Sequence, residues 1–377
     1  MRMAVAAPLS TSGRFIVDKN GKRVRLAGVN WYGASEDAGV PTGLDRIDRH
    51  ALAELIAAQG FNRVRLPFSV WMVENRQPVD PKYISANPDL QGKNPLGVYD
   101  SCVNALTDQG LIVIPNCHLL DFGWCCADYD HNGLWFNDHF GPERFTSAWQ
   151  TIAQRYASNS LVAGMDIKNE PRSSVVGGKT LTPTWGDRKS TDIAIMYTSV
   201  GKLIHQHNPN VLIICEGLGY AQNLTDVAQH PIQLDIQHKV VYSMHDYHWF
   251  HQPKNKPEPD RNAYIAAMDR NGGYLLHQNT APVWIGEFGR AVQSATGAEP
   301  WWGNLQAWLA QNDVDWCWWA LNPTHNQSVV PRTSTVIHKP NEREPFGLLT
   351  QDWSQVGFPD IMTSLKAIMA PHSGPHI

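Results

Sequence analysis

The stretch Val162-Ala163-Gly164-Met165-Asp166-Ile167-Lys168 is a short apolar run with strand character, and it leads directly into Asn169-Glu170-Pro171. Similar runs recur along the 377 residues, separated by segments with helical periodicity. The other runs are Val24–Asn30, Asn62–Leu66, Leu111–Asn116, Val211–Glu216, Val240–Met244, Val283–Gly286 and Asp315–Trp319. A strand followed by a helix, repeated eight times, predicts an α/β fold of the parallel (β/α)8 TIM-barrel type.

The segments around these runs support the same architecture. Residues Ala51–Gln59, closed by Gly60, and Thr146–Tyr156 have the apolar spacing of amphipathic helices. Ahead of the first run, residues 14–17 and 22–25 flank an Asn-Gly turn, which predicts an N-terminal β-hairpin that covers the N-terminal mouth of the barrel. Residues 1–11 are expected to form a flexible N-terminus.

The chain is longer than a minimal barrel, which needs about 250 residues. The excess is therefore expected in long loops on the C-terminal face, where barrels of this type carry their active sites. The largest insertions fall at residues 67–95, 119–140, 172–190, 246–260 and 322–345, and each follows a predicted strand. We find no linker or internal repeat, so residues 1–377 are expected to form a single catalytic domain.

The composition excludes several kinds of partner. The net charge is −4 and no dense Lys/Arg run occurs, which argues against nucleic acid as a partner. No apolar stretch reaches the roughly 18 residues that a membrane span requires. We expect a monomer.

The compartment stays open at this level. The N-terminal run stops at Pro8 before a signal-peptide core accumulates, so we expect either that a signal peptide is missing from this chain or that there was none. We expect an extracellular location, with a cytoplasmic one as the alternative. Six cysteines are too few for a disulfide framework. Cys125 and Cys126 are not expected to bond to each other, although one of them could pair with a distant cysteine.

Polar and aromatic residues stand at the ends of most predicted strands, where a barrel places its catalytic groups. Glu170 and Glu287 end the fourth and seventh runs, and carboxylates are costly to bury without a partner. The other strand-end candidates are Asn30, Trp31, Arg65, His118, Asn169, His245, Tyr247 and Trp319. Two carboxylates on one rim are the groups that glycoside hydrolysis requires.

The motifs that carry these residues are more specific than their positions. They are Arg65-Leu66-Pro67, His118, Asn169-Glu170-Pro171, His245-Asp246-Tyr247, Trp284-Ile285-Gly286-Glu287-Phe288-Gly289 and Trp319, and they span nearly the whole chain. In this order they resemble glycoside hydrolase family 5, the cellulase-type members of clan A. The segments Leu26–Trp31 and Phe346–Leu349 are similar to that family too.

The resemblance implies a role for each site residue. Glu170 would be the general acid/base and Glu287 the nucleophile of a retaining mechanism, with Arg65 and Tyr247 keeping Glu287 ionised. Asn169 would bind the sugar 2-hydroxyl. His118 and His245 would bind the sugar or orient the carboxylates, and Trp319 would form an apolar floor. No cofactor is implied.

The resemblance implies a carbohydrate substrate, a β-glucan or β-glycoside, and such a substrate favours the extracellular location. The sugar and the linkage are less determined than the chemistry. A β-1,4-endoglucanase is the leading interpretation of the resemblance. An exo-acting β-glucosidase, a glycosidase for a glycolipid or plant glycoside, and a β-mannanase are alternatives. A catalytically silent carbohydrate-binding barrel is the non-enzyme alternative, against which both glutamates count.

Two metal hypotheses remain. Asp128, Asp130 and Asn132 have the oxygen-ligand spacing of a calcium loop, although the twelfth position is His139 rather than Glu. An Asp/Asn-rich turn is the competing interpretation. Histidines and aspartates after the third and sixth runs also allow a metal hydrolase, but no pair has the spacing of a helical zinc motif.

Overall fold

The computed structural model describes residues 5–126, 130–251, 259–293 and 300–369. At its centre is a closed barrel of eight parallel strands. These strands are β3 (Ala27–Asn30), β4 (Arg63–Ser69), β5 (Ile112–Leu119), β6 (Gly164–Asp166), β9 (Leu212–Glu216), β10 (Val240–Asp246), β11 (Val283–Phe288) and β12 (Asp315–Trp318). Each predicted apolar run coincides with one of them, which confirms the (β/α)8 barrel.

The barrel strands neighbour each other in chain order, and β12 pairs with β3 to close the ring. Helices follow the strands along the chain, and the longer ones cover the outside of the barrel. They are α1 (Arg49–Ala58), α2 (Val70–Glu74), α3 (Pro95–Asp108), α4 (Pro142–Arg155), α5 (Ile193–His207), α6 (Leu218–Ala221), α7 (Arg261–Met268), α8 (Tyr274–His277), α9 (Pro300–Asn312) and α10 (Pro359–Met369). The barrel strands are buried along their whole length except at Val240, the first residue of β10, since helices cover the outer face and side chains fill the inside.

Local sequence explains where several helices begin. The side chains of Asp48, Asn94, Asp192 and Asp260 each accept a hydrogen bond from a backbone N–H in the first turn of α1, α3, α5 and α7. Such caps satisfy donors that the helix itself leaves unpaired. After α1, Gly60 has a φ of +102°, which a residue with a side chain rarely adopts. These signals place α1 within two residues of its predicted bounds.

The N-terminal segment closes the barrel from below. The hydrogen bonds from Asp18 N to Lys22 O and from Val24 N to Ile16 O form the predicted hairpin. Regular strand pairing, however, joins β2 (Phe15–Val17) to β1 (Ser10–Ser12). Leu9, Ile16 and Val24 pack on the first residues of the barrel strands in one buried cluster.

The prediction of a flexible segment over residues 1–11 is therefore wrong for residues 9–11. Leu9 is fully buried, and Ser10–Ser12 form a strand that is held on both sides, because Thr11 N also donates to His238 O. Residues 1–4 lie outside the described part of the chain.

Two of the predicted insertions form hairpins of their own. The first pairs β7 (Ser174–Val176) with β8 (Lys179–Leu181), and the second pairs β13 (Ser328–Val329) with β14 (Val336–His338). Both follow the C-terminal end of a barrel strand, as the loop lengths predict. Within the described ranges, no helix is long and apolar enough to cross a membrane.

The packing of the N-terminal segment can be tested with one substitution. We expect Ile16→Ala to lower the free energy of unfolding by about 2–5 kcal/mol, because a buried isoleucine leaves a cavity. The matched control is Ile195→Ala, since Ile195 is 49% exposed and should change stability by less than about 0.5 kcal/mol. Urea denaturation measures both. Equal effects of the two substitutions would contradict the closure of the barrel by this segment.

Candidate active site

The C-terminal ends of the barrel strands surround a cleft of about 540 Å³. It is lined by residues from the strand ends and from the loops that follow them. They are His118, Trp124, Cys125, Cys126, Glu170, Tyr220, Tyr247, Trp249, Phe250, Glu287, Trp319, His325, His338, Glu344, Pro345 and Phe346. Both candidate glutamates therefore reach the same cleft.

The two glutamates form a close pair. Glu287 lies in β11, and Glu170 follows β6 by four residues, three strands away around the barrel. One carboxylate oxygen of each, together with a ring nitrogen of His245, lies within a group whose atoms are all within 4.8 Å of one another. Retaining glycosidases hold their carboxyl groups about 5–5.5 Å apart, whereas inverting enzymes need roughly 6.5 Å or more. The spacing fits direct attack by one carboxylate.

Arg65, on β4, lies beneath this pair and is almost fully buried. Its Nε donates to Asp166 at 2.6 Å, and its two terminal nitrogens donate to Glu216 at 2.9 Å and to Glu287 at 2.5 Å. The same nitrogens also donate to the carbonyl oxygens of two amides, Asn30 at 2.9 Å and Asn169 at 2.7 Å. A guanidinium has five N–H donors, and here each one has a partner. The orientation of Arg65 is thus determined from all sides.

The protonation state of Glu287 depends on opposing effects. Burial raises the pKa of its carboxyl group, and the positive charges of His245 and Arg65 only partly offset this. Tyr247 donates a hydrogen bond to the other carboxylate oxygen at 3.0 Å, which also favours the ionised form. The predicted contacts from Arg65 and Tyr247 are present, but the net shift of the pKa is upward because burial of the carboxyl group outweighs them.

His245, at the end of β10, connects the two glutamates. Its Nδ1 is 2.9 Å from Glu170 Oε1 and 3.6 Å from Glu287 Oε2. Burial alone lowers the pKa of His245, but the carboxylates of Glu216 and Glu287 raise it well above its usual value. A charged imidazole thus lies between the two carboxyl groups and favours the ionised form of Glu287.

Glu216, at the end of β9, supports Glu170 from behind. Its Oε2 accepts the backbone N–H of Glu170 at 2.7 Å, while Oε1 binds Arg65. Glu170 has a φ of +42°, a conformation uncommon for residues with a side chain. Burial raises the pKa of Glu216, but His245 and Arg65 more than reverse this and lower it. The ionised Glu216 thus helps to hold Glu170 in this backbone conformation.

His118 and Trp319 form one aromatic wall of the cleft, and the roles predicted for them, sugar binding and an apolar floor, stay predictions. Their rings are nearly parallel with centroids 5.6 Å apart, and Tyr32 lies on Trp319 at 5.2 Å with an interplanar angle of 12°. Burial, and then the charge of Arg65, lowers the pKa of His118 well below its usual value, so this imidazole is neutral. Its Nδ1 bonds Asn116 Oδ1 at 2.9 Å, which leaves Nε2 available as an acceptor.

Asn30 and Trp31 face opposite sides of the barrel wall. Asn30 points into the barrel and supports Arg65, while its own amide donates to the carbonyl oxygens of Gly286 and Trp318. Trp31 does not reach the cleft: it is buried in the outer core, and its indole donates to Thr42 O at 2.9 Å. Successive residues of a strand point to opposite faces, so Asn30 and Tyr32 face the site and Trp31 faces away.

Cys125 and Cys126 are bonded to each other, so the expectation that neighbouring cysteines stay apart is wrong. The peptide bond between them is cis and their Cα atoms are 3.1 Å apart, which allows the two sulfurs to meet. The remaining cysteines, 102, 117, 215 and 317, are free and buried. The disulfide lines the cleft beside Asn169.

The structure does not support the calcium hypothesis. The Asp130 carboxylate forms an ion pair with Arg172, and Asn132 Oδ1 accepts the backbone N–H groups of Leu120 and Asp121. These oxygens already have protein partners, and Asp130 Oδ1 also accepts the backbone N–H of Asn132 at 2.8 Å, the hydrogen bond of an Asx turn. Asp128 lies outside the described residues.

The metal-hydrolase alternative gains no support either. Of the described histidines and aspartates after β5 and β10, His245 lies in a group with ligand spacing together with Glu170 and Glu287, and Glu287 is already bonded to Arg65 and Tyr247. A second such group contains Cys125, Cys126 and Asp130. The disulfide removes the thiolates that a metal would need.

Sequence reasoning missed several site residues. Glu216 is an acidic strand end, like Glu170, and the same rule would have found it. Asp166 lies inside the stretch that predicts the fold, and its alternation along β6 turns it toward Arg65. His325, His338 and Glu344 come from the loop after β12, and burial raises the pKa of Glu344 to about 7. No motif marks these loop residues.

A TIM barrel with two adjacent buried carboxylates, a supporting arginine and an aromatic cleft defines a retaining glycoside hydrolase. The family model described as Cellulase (glycosyl hydrolase family 5) matches residues 17–325. The chain belongs to glycosyl hydrolase family 5.

Individual relatives agree with this assignment. An endoglucanase of Paenibacillus polymyxa is 30% identical over 384 residues, which cover 96% of this chain and 87% of that protein. The major extracellular endoglucanase of Xanthomonas campestris is 25% identical over 95% of this chain and 70% of that protein. The structure of an endocellulase from Pyrococcus horikoshii has a TM-score of 0.79 and 26% identity, with 98% of this chain and all of that chain covered.

The acid limb of the pH profile should report the ionisation of Glu287. Because its pKa is raised, the nucleophile keeps its proton to a higher pH than an ordinary glutamate, and kcat/KM falls as the pH drops through that value. We expect Tyr247→Phe to move this limb further upward and to lower kcat/KM about tenfold or more on its acid side, since a hydrogen bond to the charged form is lost.

The matched control is Tyr99→Phe, which removes a buried hydroxyl that donates to Leu66 O rather than to a carboxylate. This control should leave the pH profile in place. An unchanged acid limb in Tyr247→Phe would contradict the assignment of that limb to Glu287.

Proposed function

We propose that this protein is an endo-acting β-1,4-glucanase that cleaves with retention of the anomeric configuration. The observation that carries the proposal is the close Glu170–Glu287 pair, with carboxylate oxygens within 4.8 Å, at the floor of an aromatic cleft. This spacing leaves no room for a water between nucleophile and sugar and suits a covalent intermediate.

The reaction has two displacements. In the first, a Glu287 carboxylate oxygen attacks the anomeric carbon while Glu170 gives its proton to the departing glycosidic oxygen. Forming the ester removes the negative charge of Glu287, so Glu170 then acts as the base that takes a proton from water. That water attacks the anomeric carbon from the side that the leaving group vacated, and Glu287 departs as a carboxylate.

The residues around the pair have roles in both steps. Arg65, Tyr247 and the charged His245 stabilise the carboxylate of Glu287 before attack and after release. Asn169 lies beside this centre, where it can bind the hydroxyl next to the anomeric carbon. His118 and Trp319 present a neutral polar edge and an apolar face to the same sugar.

The aromatic lining supports a polymeric substrate. One group of rings surrounds Trp319, and a second includes Trp249, which is 47% exposed and stacks on Tyr247 at 4.4 Å. Flat aromatic faces suit pyranose rings, and two groups can hold more than one sugar. The relatives named as endoglucanases point the same way. By contrast, Trp301 and Trp302 of α9 are buried in the core rather than in the cleft.

The location, the oligomeric state and the domain organisation of the protein are also proposed. We infer an extracellular site of action, supported by the Cys125–Cys126 disulfide, which is typical of oxidising compartments, and by the description of the Xanthomonas relative. A monomeric state and a single domain over residues 1–377 stay predictions, which light scattering and limited proteolysis can check.

Endo action is tested by product size. On carboxymethyl cellulose we expect viscosity to fall well before reducing ends accumulate, and on cellotetraose we expect cleavage at internal bonds. A panel with mannan and aryl β-glucosides serves as the comparison. Release of single glucose units from chain ends would contradict the endo assignment. Turnover of mannan alone would contradict the proposal that the substrate is a glucan.

The roles of the two glutamates are tested by azide rescue. In Glu287→Ala, azide replaces the nucleophile, so an aryl β-cellobioside should yield the α-glycosyl azide. In Glu170→Ala, azide attacks the covalent intermediate and should yield the β-glycosyl azide. Without azide, each variant should lose at least about 1,000-fold in kcat on substrates with poor leaving groups.

The control variant is Glu54→Ala, which removes an exposed carboxylate on α1 and should keep full activity without azide. NMR spectroscopy of the products identifies the anomers. The opposite pairing of anomer and variant would exchange the two roles.

A further inference from the structure

The Cys125–Cys126 disulfide contacts a residue of the reaction centre. The side-chain nitrogen of Asn169 lies 3.4 Å from Cys125 Sγ and 3.5 Å from Cys126 Sγ, within hydrogen-bonding distance of sulfur. Both cysteines and Glu170, the residue after Asn169, line the cleft. The disulfide therefore lies in the wall of the site and not in a distant loop.

Asn169 is held from two sides. Its Oδ1 accepts a hydrogen bond from Arg65 at 2.7 Å, and the same guanidinium binds Glu287 at 2.5 Å. Since the oxygen faces a donor, the nitrogen must face the sulfurs, which are weak acceptors. The amide nitrogen carries two N–H donors and lies within reach of both sulfurs, so one donor can serve the disulfide and the other a ligand beside the nucleophile.

We propose that the Cys125–Cys126 disulfide is a positioning element for the glycosidase reaction. It fixes the amide plane of Asn169, so that the second N–H meets the hydroxyl next to the anomeric carbon of the attacked sugar. This inference rests on the proposed β-glycosidase chemistry. It extends that proposal by connecting the oxidation state of two cysteines to the recognition of one hydroxyl.

Free thiols would not replace the disulfide in this role. Two unbonded side chains can rotate separately, whereas the bonded pair presents both sulfurs to Asn169 in one fixed arrangement. Reduction would therefore release one side of the amide while Arg65 still holds the other. Contacts to a sugar hydroxyl that strengthen in the transition state are sensitive to such a change.

The first test counts thiols in the denatured wild-type protein. We expect four reactive thiols before treatment with tris(2-carboxyethyl)phosphine, from cysteines 102, 117, 215 and 317, and two more after it. The phosphine converts the disulfide to two thiols and itself becomes the phosphine oxide, with its oxygen taken from water. Six thiols without any reductant would overturn the proposal.

The second test compares two substrates, an aryl β-cellobioside and its analogue that lacks the 2-hydroxyl on the reacting ring. In Cys125→Ser/Cys126→Ser we expect kcat/KM to fall about tenfold on the first substrate, the worth of one neutral hydrogen bond. On the analogue, the double-serine variant should have the same kcat/KM as the wild type. An equal loss on both substrates, or no loss, would overturn the proposal.

Phosphine treatment of the native protein gives the same comparison without substitution, and it should leave the double-serine variant unaffected. A double-mutant cycle adds a further control: in an Asn169→Ala background, removing the cysteines should cause no additional loss. Wild-type protein that turns over no β-glycoside would instead reject the proposed function, an outcome separate from failure of the cysteine variants.

Discussion

The active site depends on one guanidinium. Arg65 is buried inside the barrel, where an unpaired charge would cost several kcal/mol, and it is stable there because five acceptors surround it. Three of them are carboxylates, from Asp166 on β6, Glu216 on β9 and Glu287 on β11. The ion pairs thus join β4 to three other strands, and the same contacts that make the charge tolerable also orient the reaction centre.

Charge is distributed unevenly around this centre. Burial, and then Glu216, raises the pKa of Asp166, whereas His245 and Arg65 lower that of Glu216. Glu216 is therefore the ionised partner behind the site and holds the backbone of Glu170. His245 carries the second positive charge between the glutamates. A buried site with two carboxyl groups needs such cations to keep the nucleophile ionised, because burial and a neighbouring negative charge both favour its protonation.

Local sequence predicted much of the site, because barrel geometry turns position along the chain into position in space. A residue at a strand end must lie on the C-terminal rim, so Glu170, His245, Tyr247 and Glu287 could be placed before any coordinates. The same rule placed Trp31 wrongly. A difference of one residue reverses the face of a strand, and an apolar run buried on both faces does not show which face is inside.

By itself, the sequence determined the eightfold strand–helix repeat, the two glutamates and their family motifs, since these follow from periodicity and from residue types at strand ends. Only the tertiary structure decided which charged groups contact one another. The bond between Cys125 and Cys126, the contact of Asn169 with both sulfurs, and the inclusion of Glu344 depend on loops that fold over the rim. The contact of Asn169 and the inclusion of Glu344 join residues far apart in the chain, and no local pattern specifies their distances.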